Sequence, residues 1–478
     1  MRGAEADTFT PLGWPGPDSE PYNSDPWYGT LGVGVAYNGK GAGTVPGGRN
    51  SSAYWTGKDG TFWLFGGDGL DGNPAPAEGL LNDLWAYTPA TNEWTWKGGS
   101  STIETLPAYL GPGSGGQPGV YGTLGTPSSS NIPGGRENSV TWTDSAGNLW
   151  LFGGYGIDSQ GSEGYLNDLW EFNPTSGKWA WVGGSNTIGT YLSGQVGTYG
   201  VQGVPAPNNV PPGLSASTGW IDQNGNFWLF GGYGVSLGLG AGAAFDDVWE
   251  FIPATMEWTW VSGNGGTIPN EAGVYGTLGT PAAGNHPSSR ASSTAWTDAS
   301  GNVWLFGGGN LNDLWKFNPT SKQWAWMAGT AGDVLVNGVL SPPPGSYGAL
   351  GVAAASNAPS GRFGSTGWLD TAGNLWIFGG NGIDSTDADG PLNDLWEFNM
   401  AKQEWIWMGG PEIGLQGGVY GIEGTPSSAN IPGSRYNSAS WRDSSGNLWL
   451  FAGWGILSGP DGGATALNDL WVYNPSQP

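Results

Sequence analysis

Arg136-x-x-Ser139-x-x-Trp142, Gly147-Asn148-Leu149-Trp150-Leu151-Phe152-Gly153-Gly154, Asn167-Asp168-Leu169-Trp170 and Trp179-x-Trp181 make up one copy of a pattern that runs six times through this chain. Of the 31 Trp residues, 28 occupy these repeat positions, and Trp14, Trp27 and Trp454 are the rest. The sixth copy stops before its Trp-x-Trp pair. The third-strand Trp recurs at 85, 170, 249, 315, 396 and 471, about 77 residues apart on average. Regular self-similarity means an array or ring of like units, not a mosaic of unrelated domains.

Alternation within a copy sets the strands. Trp150 and Phe152 point one way and Leu149 and Leu151 the other, so this strand is apolar on both faces. Such a strand must be covered on both sides, and a four-stranded sheet achieves that by stacking on its neighbours. Closed stacking is a propeller. Eight residues separate the first- and second-strand Trp in all six copies, as with 142 and 150, which marks a tight hairpin. The second-to-third connection and the loop to the next copy vary widely in length. In an up-and-down sheet both emerge on the same face, so one face is fixed and the other elaborated.

The Leu-Phe-Gly-Gly ending, the Asn-Asp-Leu-Trp strand and the Trp-ended fourth strand resemble kelch repeats of the bacterial, galactose-oxidase-like group. The resemblance spans Arg49 to Pro475. It implies an all-β, six-bladed kelch-type β-propeller with four-stranded blades, a single domain over 1–478. The blades fall near 49–96, 136–181, 214–260, 290–326, 362–407 and 435–473. The last lacks its fourth strand, and an N-terminal strand at about residues 7–14 is expected to supply it, since folded proteins avoid an unpaired edge. With Trp14 as the second Trp of the missing pair, the loop to Arg49 falls within the range of lengths of the other five. Galactose oxidase itself uses a copper site with His ligands and a Cys–Tyr cross-link. With no Cys and one His, this chain lacks those groups.

Composition bounds the partners. Thirty-nine acids against 14 bases give a net charge of −25, which repels nucleic acid and anionic lipid. No apolar run reaches the ~20 residues that span a membrane, so no membrane insertion is expected. Without Cys there is no disulfide framework and no thiol nucleophile. An acidic, Trp- and Gly-rich, Cys-free chain suits an extracellular or cell-surface bacterial protein.

Repeated polar residues are expected to be structural. Arg49, Arg136, Arg290, Arg362 and Arg435 occupy one repeat position, with Leu214 in the third copy; each is expected to pair with the repeated Asp (Asp83, Asp168, Asp313, Asp394, Asp469) or with backbone carbonyls, the functional alternative being a ring of cations that holds an acidic ligand. Each inter-copy loop holds Tyr-Gly-x-x-Gly, and five hold Asn-x-Pro, as at Asn131 and Asn430. These residues are expected to brace the loops, and the sole His, His286, is incidental. Divergent positions are the ligand candidates: Asp68, Tyr155, Tyr233 and Asn381 follow the Gly-Gly pair and Trp454 follows its counterpart Ala452-Gly453, where rings can stack on sugars and polar groups can meet hydroxyls. Asp384, Asp387 and Asp389 offer oxygen ligands to Ca²⁺, as does Asp68 with Asp71. Neither set follows the twelve-residue calcium loop. No other cofactor is implied.

No catalytic triad or zinc cluster is legible. The expectation is a non-enzymatic secreted or surface binding module for a glycan or protein ligand. A structural subunit of a fibre or surface layer, self-assembling by strand or face association, is the alternative. A sugar-processing kelch enzyme is the minor one.

Overall fold

The structure is a computed structural model of the 478-residue chain. It describes residues 8–13, 28–36, 44–73, 77–104, 115–189, 194–236, 242–267, 270–332, 334–336, 339–456 and 463–475. All regular structure among these is antiparallel β-sheet, and each of the six copies forms an up-and-down sheet of the kind a propeller blade is made of. Two compact units result, one of residues 1–188 with 417–478 and one of 189–416. Copies 1, 2 and 6 lie in the first, and copies 3, 4 and 5 in the second.

Copy 2 shows the blade. Arg136–Glu137 and Val140–Thr143 both pair with Leu149–Ile157, followed by Glu163–Asn173 and, outermost, Lys178–Gly183. The inner edge is broken at Asn138, whose φ is 54°. Gly153 and Gly154 do not end their strand. With φ of 62° and 99° they form a bulge that side chains with a Cβ resist. The bulge turns the Gly153 carbonyl toward Arg136 Nη1 and Ser139 Oγ, at 3.0 and 2.8 Å.

Stacking follows the alternation read from the sequence. In copy 1, Phe62 and Leu64 pack with Trp441, Trp449 and Phe451 of copy 6. Trp63 and Phe65, one residue out of phase, pack with Leu149, Leu151 and Trp170 of copy 2. Copy 4 does the same in the second unit, with Val303 and Leu305 toward copy 3 and Trp304 and Phe306 toward copy 5. Indole N–H groups stitch neighbours together: Trp55 Nε1 donates to the Trp150 carbonyl at 2.9 Å, and Trp441 Nε1 to that of Trp55 at 3.0 Å.

The N-terminal strand Thr8–Gly13 does pair with the last strand, Ala464–Asn474. Its register corrects the expectation for Trp14, which lies outside the described residues. Pro11 stands opposite Trp471, where Trp181 stands opposite Trp170 in copy 2, and Phe9 stands opposite Tyr473. Phe9 thus takes the place of the first Trp and Pro11 that of the second. Asn430 Nδ2 donates to the Phe9 carbonyl as Asn131 Nδ2 does to Trp179, and the Gly424 amide meets the Pro11 carbonyl as Gly125 meets Trp181. Pro is tolerated because the strand is outermost and needs no donor there.

Candidate functional site

The repeated charges are enclosed. Arg136 grips Asp168 through two parallel bonds of 2.8 Å, and both side chains are wholly buried. Asp168 also accepts from Tyr121 Oη at 2.6 Å and Trp170 Nε1 at 2.7 Å. The same knot recurs at Arg49–Asp83, Arg290–Asp313, Arg362–Asp394 and Arg435–Asp469. Each unites the inner strand, the third strand and the Tyr loop, so these residues build the scaffold, as the repetition implies. The Asn of Asn-x-Pro braces the same loop: Asn131 Nδ2 donates to the carbonyls of Thr126 and Trp179.

Copy 3 lacks the cation. Leu214 fills the Arg position, and Asp247 is left with Tyr199 Oη at 2.8 Å and the Gly265 amide at 2.9 Å. Burial, the largest cause, pushes Asp247 up to about 7. A carboxyl raised in the folded state binds more protons there than in the unfolded chain. Stability from this group is therefore highest below pH 4 and falls as pH rises through about 7. Asp247→Asn is expected to remove that slope and to add of order 2 kcal/mol at pH 8 but nothing at pH 4, read by urea unfolding at both values.

The candidate cation ligands do not converge. Among the described residues no group of three or more His, Asp or Glu is arranged for a metal. Asp384 Oδ1 accepts from the Thr386 and Ala388 amides and Thr386 Oγ, and its Oδ2 from the Gly414 amide. That bonding also holds Asp384 below the usual carboxylate range, against the opposing effect of burial. Asp387 and Asp389 are exposed beside it. Asp71 and Asp158 do the same work, reaching the Ile103 and Ile188 amides. Four residues after the Gly-Gly pair, Asp is thus a loop brace, a spacing visible in the sequence but missed.

The residues after Gly-Gly lie on strands, not in free loops, because the bulge lets the strand continue. Asp68 stands opposite Asn50, Tyr155 opposite Glu137, Tyr233 opposite Ser215, Asn381 opposite Phe363 and Trp454 opposite Tyr436. Only Tyr233 is exposed, and the other four are half-buried. Tyr233 and Asn381 belong to the second unit. Asp68, Tyr155 and Trp454 belong to the first, where the structure adds two acids the sequence reading passed over.

Those acids are Glu137 and Glu163. Glu137 is pushed up to about 7, first by burial and then by the charge of Asp68, with Glu163 adding less and the Ser51 hydroxyl opposing. Asp68 is pushed up to about 6 by burial, then by Glu78, with Glu163 adding less and Asn50 opposing. Tyr155 is raised to about 12 by burial and by Glu163, to which it is hydrogen-bonded. Its ring meets that of Tyr165 edge-on at 5.2 Å. Tyr436, across from Trp454, rises through burial and Glu137. Copies 1, 2 and 6 meet here through backbone: the Ser51 amide donates to the Asn437 carbonyl and the Asn138 amide to that of Ser51, at 2.9 and 2.8 Å. A signal existed, since the residue after the repeat Arg (or Leu214) is Asn50, Glu137, Ser215, Ala291, Phe363 and Tyr436, and only Glu137 is an acid.

No family model matches the chain, and no curated protein matches it. Among solved structures it is similar to that of YjhT, at 13% identity and a TM-score of 0.48, over 89% of this chain and 95% of that one. At that identity and score the likeness carries nothing about a site or an activity. The kelch resemblance rests on the repeats and on the sheets they form.

Proposed function

We propose that this chain is a non-enzymatic binding module, secreted or displayed on a bacterial surface, that holds a glycan at the acid–aromatic cluster of copies 1, 2 and 6. The observation behind this reading is Glu137, an acid placed by a repeat-breaking position beside Asp68 and Glu163. Their mutual repulsion costs stability that the scaffold could avoid with the Ser or Ala found elsewhere. Sugar hydroxyls would donate to these carboxylates and relieve the repulsion, while Tyr155 and Trp454 offer ring faces to the sugar. Divergent residues on a rigid framework are the usual form of a binding surface.

A glycan array followed by calorimetry on the purified chain tests this. Tyr155→Ala and Glu137→Gln are each expected to weaken the best hit by about tenfold, the 1.4 kcal/mol of one lost contact. Glu137→Gln should leave the melting temperature unchanged, and Tyr155→Ala, which also gives up the ring contact with Tyr165, should lower it only slightly. A broad array without a hit, or hits indifferent to both substitutions, would sink the reading. Facing carboxyls with raised pKa values also suit acid–base chemistry on a sugar, which favours the kelch-enzyme alternative. Turnover of the bound glycan, lost in Glu137→Gln, would select it. Against strand addition in the structural-subunit reading stand the single bridges that Tyr loops make to outer strands, as at Ser128 on Trp179 and Ser427 on Phe9.

A further inference from the structure

Five copies carry Asn before the knot Asp, at Asn82, Asn167, Asn312, Asn393 and Asn468, and copy 3 carries Asp246. That Asn works with both of its polar atoms. In copies 1 and 4 its Oδ1 accepts from the Ser100 or Thr330 amide, just past the outermost strand, at 3.0 Å. Its Nδ2 donates to the Pro133 or Pro359 carbonyl in the connection to the next copy, at 3.4 and 3.1 Å. A neutral amide thus ties one sheet to the approach of the next. An ionised carboxylate can only accept, so Asp246 cannot make the second bond without a proton.

The surroundings of Asp246 differ too. It is buried, and its Oδ1 accepts from Asn264 Nδ2 at 2.8 Å, which also donates to Glu271 Oε2 at 2.9 Å. One amide therefore serves two carboxylates. Glu271 is anchored to the far end of the connection, its amide donating to Ser289 Oγ and its carbonyl accepting from the Ser289 amide. The Pro of this connection is Pro287, and His286 Nδ1 lies 3.1 Å from its carbonyl. In the other Asn-x-Pro loops the middle residue is Ile132, Val210, Ala358 or Ile431. The sole His of the chain thus stands at an apolar position, in the connection that leaves the one copy with Asp for Asn. Asp246 rises above the usual carboxylate range, first through burial and then through Glu271, with Asn264 and His286 opposing. The other ionisable groups here are committed, Asp247 to Tyr199 Oη and the Gly265 amide, and Arg290 at the end of the connection to Asp313.

We infer that Asp246 is a proton-operated clamp on the connection between copies 3 and 4: with its proton it donates to the Pro287 carbonyl as Asn does in copies 1 and 4, and without it the connection loosens. The ionised form sets a buried carboxylate against a carbonyl and against Glu271, with the Asn264 amide shared between the two acids. His286 sets the pH of the change, because its positive charge favours the ionised acid. A carboxyl raised by folding gives stability that is present at low pH and is lost as pH rises through the folded value. The clamp is thus closed in acid and opens as pH rises. The same connection carries Tyr275, whose hydroxyl meets Asp313 at 2.8 Å, so loosening reaches the knot of copy 4. The device lies within residues 189–416 and does not rest on the glycan reading.

Hydrogen exchange read by mass spectrometry on the full chain from pH 4 to 8, corrected for the intrinsic pH dependence of exchange, tests this. Protection over residues 270–289 is expected to fall by roughly fivefold or more as pH rises, the measure of one lost hydrogen bond. Residues 117–135, the matching connection from copy 1 with Asn82 behind it, should stay level. Asp246→Asn restores the residue of the other copies and should abolish the fall, while Asp247→Asn should leave it. His286→Ile, which copies the apolar Ile132, should move the fall to higher pH. Level protection over 270–289 in the wild-type chain overturns the proposal. So does a fall that residues 117–135 share, one that Asp246→Asn leaves intact, or one whose pH His286→Ile leaves unchanged.

Discussion

Asp168→Ala is expected to cost about 3–5 kcal/mol of folding stability, the range for breaking a buried ion pair by removing one partner. Arg136 would be left wholly buried with only carbonyl acceptors, the Gly134 and Gly153 oxygens, and it cannot shed its proton. Tyr121 Oη and Trp170 Nε1 would lose their shared acceptor at the same time. Arg136→Leu is expected to cost less at pH 5, because the orphaned carboxyl can take up a proton. Copy 3 is the natural precedent, with Leu214 beside an Asp247 raised to about 7. The advantage of Arg136→Leu should shrink as pH rises toward about 7, because the folded chain then holds a proton that the unfolded chain has released. Urea unfolding of both variants at pH 5 and 8 gives the comparison. A cost below about 1 kcal/mol for Asp168→Ala, the level of a surface pair, would show that the knots do not hold the blades.

Deleting residues 1–13 is expected to cost at least about 3 kcal/mol, comparable to truncating a buried Phe. Phe9 is buried, with its ring 4.8 Å from Tyr473 and 6.2 Å from Trp471. Its carbonyl is also the acceptor of Asn430 Nδ2, so the Tyr420 loop would loosen with the strand. Leu470 to Asn474 would become an open edge, and association by strand pairing should follow. An added peptide of residues 8–13 should restore stability and suppress that association. A deletion variant as stable as the full chain would remove this strand from the sixth sheet.

The blade was legible because its signals are local and repeated. Alternation placed Leu149 and Trp150 on opposite faces, and two-sided apolarity demanded neighbours, which copies 1 and 4 have on both sides. The need of the sixth copy for a strand was legible too, but not its register. Loop length fits Phe9 and Pro11 as well as it fits Trp14, and only the hydrogen bonds of Asn430 and Gly424 decide between them. The Arg–Asp knots could be read from repetition alone. The site could not be assembled in the same way. Asp68 and Tyr155 were visible as divergent residues, but Glu137 and Glu163 gain meaning only from facing Asp68.

What the sequence determined by itself was therefore the unit: its strands, its turns, its buried pairs and the copy that lacks a strand. Each rests on spacing within some 50 residues, where geometry follows from strand alternation and turn chemistry. What neighbouring copies do to each other came instead from the packing of their sheets. The tertiary structure brought acids about 70 residues apart into one field and showed the calcium candidate Asp384 bonded as a loop brace. Electrostatics and burial depend on distance in space, and that distance is fixed by stacking between sheets that no single copy records.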